Sequence, residues 1–426
     1  MKILFTSPVL EFPPADGPAL RICNSIKALN KVSDLHILSR KYKYLMGGDV
    51  AEEYYKNLCT HFEYVPSVGS GTLNKLFYLT EVKRVTKLNS VANIISRLIY
   101  KLSSGVAEDA EYIAQYVIKN RIDIIWFGYG NISFELMKLV RCKLPLIKIV
   151  CDTDSVWSRF ILRELEVSTN LINKNEIKRE GLKKENEEKE WQTFVDVTTA
   201  VSDVDANYYK AISENPNNVK IFSNVIDLDM YSKAPAQPIN FKSPCIYLAG
   251  SFWERSPMEH ASRWFINEVF PLIKEAIPSI HLYIIGKNSD LILSDIDNQS
   301  ITITGKLSSV LPYLCHANVA IVPLFFESGT RFKILEAAAA GVPMVSTTLG
   351  AEGIPVRDCI EMLIADEPKD FSQAVIRIIQ NPNLAADLAI NCKKLIEKNY
   401  SVDAQVKEAN EILDFLSKIE VKAING

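Results

Sequence analysis

The sequence predicts an α/β protein made of two doubly wound domains, each a parallel sheet wrapped by helices, with a cleft between them. Three observations lead there. Short apolar strands alternate with helices along the whole chain, the pattern of repeated βα units. Several of those strands are apolar throughout and end in Gly or Asp, as parallel strands do when they deliver a loop at their carboxyl end. At 426 residues the chain is also too long for one ordinary core. Two domains of about 200 residues each are the natural division.

The first series opens with the strand KILFTSP, the helix ALRICNSIKALNK and the strand LHILSR. DIIWFGYG and LPLIKIVCD read as buried strands, and VDVTTAVS and VKIFSNVI extend the series. Before VDVTTAVS, residues 173–190 (NKNEIKREGLKKENEEKE) form a densely charged helix with opposite charges paired along a solvated face. Residues 232–244, SKAPAQPINFKSP, hold three prolines and little periodicity. The first domain is therefore placed at 1–228 and the linker at 229–244. The second series runs CIYLAGS (strand), MEHASRWFINEVFPLIKEAI (helix), IHLYIIGK and ITITGK (strands), SSVLPYLCHA (short helix) and VAIVPL (strand). Two helices follow EMLIAD, which places this domain at 245–398. A last helix, VDAQVKEANEILDFL, falls in 399–426.

Composition narrows the class. A hydrophobic content of 48% with 23% charged residues describes a soluble globular protein, and a net charge of −3 argues against nucleic acid as a partner. Eight scattered cysteines without a CxxC pair suggest reduced thiols in the cytoplasm rather than a disulfide framework. Five histidines without metal spacing give no zinc site. The start, MKILFTSPVLEFPP, reads as a first strand rather than a signal peptide. No uninterrupted apolar run reaches the roughly 18 residues of a membrane span.

One segment does not fit a purely structural account. In ESGTRFKILEAAAAGVPMVSTT, the stretch from Ile334 through four alanines makes a helix that Gly341 stops, and Met344–Thr347 a strand. Gly329-Thr330 opens that helix, and Arg331 and Lys333 occupy its first turn. This is the positive end of the helix dipole, where a cation costs up to roughly 1 kcal/mol. An anion bound there would resolve the conflict, because free N–H groups, the dipole and two cations would converge on it. Gly329 permits close backbone approach and Thr330 offers a hydroxyl. Glu336 shares a face with Lys333, one turn beyond, placed to accept hydrogen bonds from both hydroxyls of a ribose. Diphosphate and ribose together make a nucleoside diphosphate. The alternative is that Arg331 and Lys333 simply project into water beside an ordinary turn.

ESGTRFKILEAAAAGVPMVSTTLGAEGI resembles the donor-binding segment of the family-4 (group 1) glycosyltransferases of GT-B fold, in the bacterial branch with a Gly-Thr-Arg-x-Lys-x-x-Glu core. PPADGPALRICNSIKAL, TTAVSDVDANYY with IFSNVIDLDMY, LAGSFWERSPMEHASRWFINEVFPLI and NYSVDAQ resemble further parts of that family in the same order. The resemblance implies two Rossmann-like domains facing a cleft, with the closing helix returning to the first domain. It implies a retaining enzyme that moves a sugar from a UDP- or GDP-linked donor to an acceptor hydroxyl, in cell-surface polysaccharide or lipopolysaccharide synthesis. The acceptor would be a sugar or a lipid-linked glycan. Glu336 would hold the ribose, while Gly329, Thr330, Arg331 and Lys333 would surround the diphosphate and the sugar. Gly17, Ser251, Arg255 and Lys306 would join the nucleotide-sugar site, Arg255 as a separate phosphate-binding base and Lys306 near the nucleobase. Arg331 and Lys333 would also be catalytic, stabilising the leaving diphosphate.

Two departures from the family pattern matter. The first Glu of Glu-x7-Glu is Ser328 here, with Glu327 one residue away, so donor-sugar contacts would pass to Glu327, Ser328 or backbone groups. Asp154 stands where many members carry a catalytic His. It could bind a sugar hydroxyl and orient the acceptor, or cap the helix SVWSRFILREL. Asp152-Thr153-Asp154 also matches an Asp-x-Asp metal motif, but the same pattern occurs at 227 and 295. The positive helix end makes a metal redundant, so neither metal nor cofactor is expected. Residues 75–101 carry six Lys or Arg against one Glu and could lie on the inner face of an anionic membrane, or pack as an ordinary surface helix pair. Two other functions share these features: an epimerase or hydrolase acting on a nucleotide sugar, and a non-catalytic nucleotide-sugar-binding subunit.

Overall fold

A computed structural model describes residues 1–14, 16–69, 105–168 and 170–419. The strands β1 (Lys2–Ser7), β2 (Asp34–Ser39), β3 (His61–Tyr64), β4 (Ile124–Gly128), β5 (Lys148–Asp152), β6 (Val197–Ala200) and β7 (Val219–Ile221) make one parallel sheet. Their order is β3-β2-β1-β4-β5-β6-β7. Alternation along the strands sends Ile3, Phe5, Ile124, Trp126 and Val150 into a core on one face, and Leu4, Ile125, Phe127, Ile149 and Cys151 into a core on the other. Both faces are thus buried, which explains why β4 is apolar at every position up to its terminal Gly128.

The second sheet holds β8 (Cys245–Ala249), β9 (His281–Ile285), β10 (Ile301–Ile303), β11 (Val319–Val322), β12 (Met344–Ser346) and β13 (Leu363–Ile364). They are parallel in the order β10-β9-β8-β11-β12-β13 around one large core. In each sheet the strand order reverses once, between β1 and β4 and between β8 and β11. A crevice opens at the carboxyl ends of such a pair. The segments after β1, β8 and β11 carry Gly17, Ser251 with Arg255, and residues 327–331, while Asp154 follows β5 and Lys306 follows β10.

The last helix, Val402–Lys418, packs on helix Gly17–Asn30, and its Ala409, Ile412, Leu413 and Leu416 are buried in the core of the first sheet. Where the chain crosses back, Ile226 N–H donates to the Tyr400 carbonyl at 2.8 Å. Glu408 accepts from Ser223 N–H and Oγ at 2.7 and 2.6 Å.

Two local expectations change. The helix read as continuous over 258–277 contains a π-turn at Phe265–Val269, with Phe270 N–H reaching back to the Phe265 carbonyl. Pro271, which has no N–H, cannot continue the α-helical ladder there. The donor-motif helix is Phe332–Ala339 with Arg331 as its N-cap, so Gly329 and Thr330 lie just outside it. Gly341, at φ 72°, ends it in the left-handed conformation expected of a helix stop. Among the described residues no helix is long and apolar enough to cross a membrane. The basic stretch 75–101 lies outside the described residues.

Candidate functional site

The loop after β11 turns sharply at Gly329, whose φ of +78° is a left-handed conformation. A Cβ there would lie 2.8 Å from the Asp154 carbonyl oxygen and 2.9 Å from Ser155 Cβ, so this glycine lets the two domains touch. Helix Phe332–Ala339 then begins with no acidic residue in its first turn and no side-chain cap. Ile334 N–H donates to the Arg331 carbonyl at 3.0 Å, and no carboxylate in the first turn offsets the dipole.

Both cations at this end are withdrawn from solvent, Arg331 almost fully and Lys333 in part. Arg331 is only 4% exposed, and its guanidinium bonds the backbone carbonyls of Gly329 and of Leu349, the latter at 3.3 Å. Among the described residues its Nε has no partner, and neither does the buried Ser328 Oγ. The Lys333 ammonium lies 2.9 Å from the thioether sulfur of Met258. Among the described residues neither cation has a carboxylate as a direct partner. Burial pulls both below their ordinary pKa, Lys333 to about 8; the Glu327 carboxylate opposes the shift in each case. A buried and a half-buried cation, unpaired hydrogen-bonding groups and a helix start without an acidic cap are the features that would favour an anion.

One turn on, Glu336 accepts a hydrogen bond from Tyr231 Oη at 2.9 Å. Burial raises the Glu336 carboxyl, while Tyr231 and Lys333 hold it down. Gly17 stands at the start of helix Gly17–Asn30, and a Cβ on it would lie 3.1 Å from the Phe332 ring. The N-termini of these two helices therefore meet across the cleft.

Asp154 is not a helix cap. Helix Trp157–Val167 begins after Val156, two residues on, with no side-chain cap bond. The Asp154 carboxylate instead accepts the Trp157 indole N–H at 3.1 Å. Burial pushes it up to about 6, against the pull of Arg21, Trp157 and the Tyr129 hydroxyl. Tyr129, at the carboxyl end of β4, holds a left-handed backbone at φ 61°, a conformation that non-glycine residues adopt at a cost and that gathers at functional sites.

The remaining sequence-derived residues divide. Glu327 acts on both cations through its field and lends its carbonyl to Arg163 at 2.5 Å. Ser251 is half-buried on the β8 loop. Arg255 is exposed at φ 61° on that loop, and its field reaches Glu164 of the first domain. Lys306 is exposed after Gly305.

Sequence reasoning missed the groups that hold the domains together. Arg163 forms a two-pronged pair with Glu352 at 2.7 and 2.8 Å, and Arg159 lies 3.5 Å from both Glu352 and Asp205. Asn224, after β7, donates to Thr330 Oγ1 at 2.7 Å. Sequence reasoning also missed Met258 and Tyr231, which meet Lys333 and Glu336 beside the same helix. No motif marks these residues; each is a single side chain brought in from a distant segment.

Residues 243–381 match the family described as "Glycosyl transferases group 1". An uncharacterized 44.6 kDa protein in the cps region of Klebsiella pneumoniae is 26% identical over 146 residues, 32% of this chain; the match spans 38% of that relative's length. Among solved structures, Anabaena Alr3699/HepE in complex with UDP-glucose superposes with a TM-score of 0.63 at 11% identity, covering 98% of this chain and 100% of that one. The apo form of the lipopolysaccharide outer core galactosyltransferase WaaB gives a TM-score of 0.56 at 14% identity, over 98% and 100%. The second domain of this chain is a group 1 glycosyltransferase domain, and the chain as a whole has the GT-B fold of the glycosyltransferases.

Proposed function

We propose that the protein transfers a sugar from a nucleotide diphosphate sugar to an acceptor hydroxyl, with retention at the anomeric carbon. The observation that carries this is the pair of cations, buried Arg331 and half-buried Lys333, at the start of helix Phe332–Ala339, which has no acidic residue or side-chain cap. Diphosphate oxygens fit there, with Thr330 and Ser328 as further hydrogen-bonding groups and Glu336 one turn on for the ribose. Arg331, Lys333 and the helix N–H groups stabilise negative charge as the sugar–phosphate bond breaks, and no metal is required for that. Loss of either cation lowers turnover by ~10²-fold, the usual scale for a preorganised charge-stabilising group. The acceptor lies against the first domain, where Asp154 faces the same seam and orients the incoming hydroxyl. Closure excludes water as a competing acceptor.

UDP is the first nucleotide to try, since HepE of the same fold is solved with UDP-glucose. The Klebsiella relative from a cps region and the lipopolysaccharide galactosyltransferase support a role in surface-polysaccharide or lipopolysaccharide synthesis at the cytoplasmic side of the membrane. The test is a thermal-shift panel of UDP, GDP, ADP and CDP without metal, on the wild-type chain and on Glu336→Ala. A ligand that binds only the folded state raises the melting temperature. One nucleotide should stabilise the wild type and lose most of its effect in the variant. A flat response to all four refutes the reading.

A further inference from the structure

A chain of buried polar groups runs from the first sheet to the donor motif. Asp152, at the end of β5, accepts from Arg21 and, at 2.8 Å, from Thr199 Oγ1. Arg21 also donates to the Phe222 carbonyl at 3.1 and 3.2 Å and to the Asn224 side chain at 2.7 Å. Asn224 in turn contacts Thr330 Oγ1 at 2.7 Å across the domain seam. Arg21 and Asp152 are fully buried and Asn224 is 3% exposed, so water does not compete for these bonds.

The donor directions along this chain are fixed by chemistry. A guanidinium only donates, so the Asn224 atom facing Arg21 is its carbonyl oxygen. The amide N–H group therefore faces Thr330, whose oxygen must accept. A hydroxyl that accepts on that side turns its own proton elsewhere. The Thr330 methyl is already committed: its Cγ2 sits 3.3 Å from where a Cβ on Gly353 would be. Thr330 is 7% exposed, and its hydroxyl donates to no described residue. It immediately precedes the N-cap Arg331.

We infer that Asn224 is a positioning residue that sets the direction of the Thr330 hydroxyl proton, aiming it at the donor diphosphate. Asn224 acts from the first domain, so the hydroxyl is correctly set only when the domains are together. Donor recognition is thereby coupled to closure by one amide. The inference rests on the diphosphate reading given above.

Asn224→Asp tests it. The side chain keeps its shape and still accepts from Arg21, but it cannot donate; it accepts from Thr330 and turns the hydroxyl proton away from the diphosphate. Affinity for the nucleotide that binds best among UDP, GDP, ADP and CDP is measured by calorimetry on wild type, Asn224→Asp, Thr330→Val and the double variant, with melting temperatures as a folding check. Asn224→Ala, which removes the donor without adding charge, is run through the same cycle. Thr330→Val and Asn224→Asp should each weaken binding ~10-fold or more, the size of one hydrogen bond to a charged acceptor. In the Thr330→Val background the Asn224 changes should cost less than about twofold, because the group they act through is gone. Equal losses in both backgrounds would mean that Asn224 acts by charge or general packing, and would overturn the inference. So would wild-type affinity in Thr330→Val. Binding of no nucleotide to the wild type overturns the diphosphate reading itself, and the inference with it.

Discussion

Lys333 makes donor binding pH-dependent in a way that can be worked from its surroundings. Its side chain is half-buried, with the ammonium beside the Met258 thioether and Arg331, and burial brings its pKa down to about 8 in the ligand-free protein. A diphosphate beside it favours the charged form and lifts that value back up. Between the two values, binding takes up one proton, so the association constant falls ~10-fold for each pH unit above the free value. At about pH 9 roughly one free molecule in ten carries the charge; affinity there should be ~10-fold below that at about pH 7, about 1.4 kcal/mol. The nucleotide adds no slope of its own, since its terminal phosphate is already ionised above about pH 7. The folding sign runs the other way. The folded pKa is depressed, so the unfolded chain binds more protons between about 8 and 10.4, and the ligand-free protein gains stability as pH rises through that window. The assay is calorimetry across the pH range in two buffers of different ionisation enthalpy, on wild type and Lys333→Met. Wild type should take up close to one proton per nucleotide at the alkaline end, and the variant should bind weakly with no slope. An affinity that stays level from about pH 7 to 9 in wild type, or an equal slope in Lys333→Met, refutes the placement of this ammonium at the diphosphate.

Three further outcomes are expected. Gly329→Ala places a methyl 2.8 Å from the Asp154 carbonyl at a φ of +78°; the backbone penalty alone is about 1–2 kcal/mol, and X-ray scattering should show a larger radius of gyration with unchanged secondary structure by circular dichroism. Arg163→Ala or Glu352→Gln breaks the two-pronged ion pair between the domains, costing the closed state ~1.5–3 kcal/mol; the donor KM should rise and the molecule expand in solution, and the two changes combined should cost less than the sum of the two. Asp154, raised to about 6, should give turnover an acidic limb near that pH if the ionised carboxylate orients the acceptor; Asp154→Asn should abolish the limb together with most of the rate, and a limb that survives the substitution would assign it to another group.

What the sequence could convey about the site was what lies within one segment. Residues 327–336 announce themselves because Gly329, Arg331, Lys333 and Glu336 are close in sequence and their spacing conflicts with helix electrostatics. The two-sheet architecture was largely legible, since most strands are apolar runs bounded by turn residues; the edge strand β3, HFEY, has no apolar run and went unread. The fates of Asp154 and Asn224 were not. A short acid just before a helix suits both a cap and a ligand, and the extra residues Ser155 and Val156 that separate it from the helix became visible only with the backbone in place. Asn224, Tyr231, Met258, Arg163 and Glu352 come from five separate elements, and no period or local spacing links them. They meet only because both sheets turn their carboxyl edges toward one seam.

The return of helix Val402–Lys418 to the first sheet also bears on how the protein is made. Ala409, Ile412, Leu413 and Leu416 complete the core that holds Ile3, Phe5 and Trp126, yet about 400 residues separate the two ends of that core. A ribosome emits the first domain early and its covering helix last. While the second domain is being synthesised and folds on its own local contacts, one face of the first sheet and of helix Gly17–Asn30 stays open to water. Such surfaces are where aggregation and chaperone capture begin. The domain that is born first is therefore finished last, and any truncation near the carboxyl terminus should be felt at the opposite end of the chain.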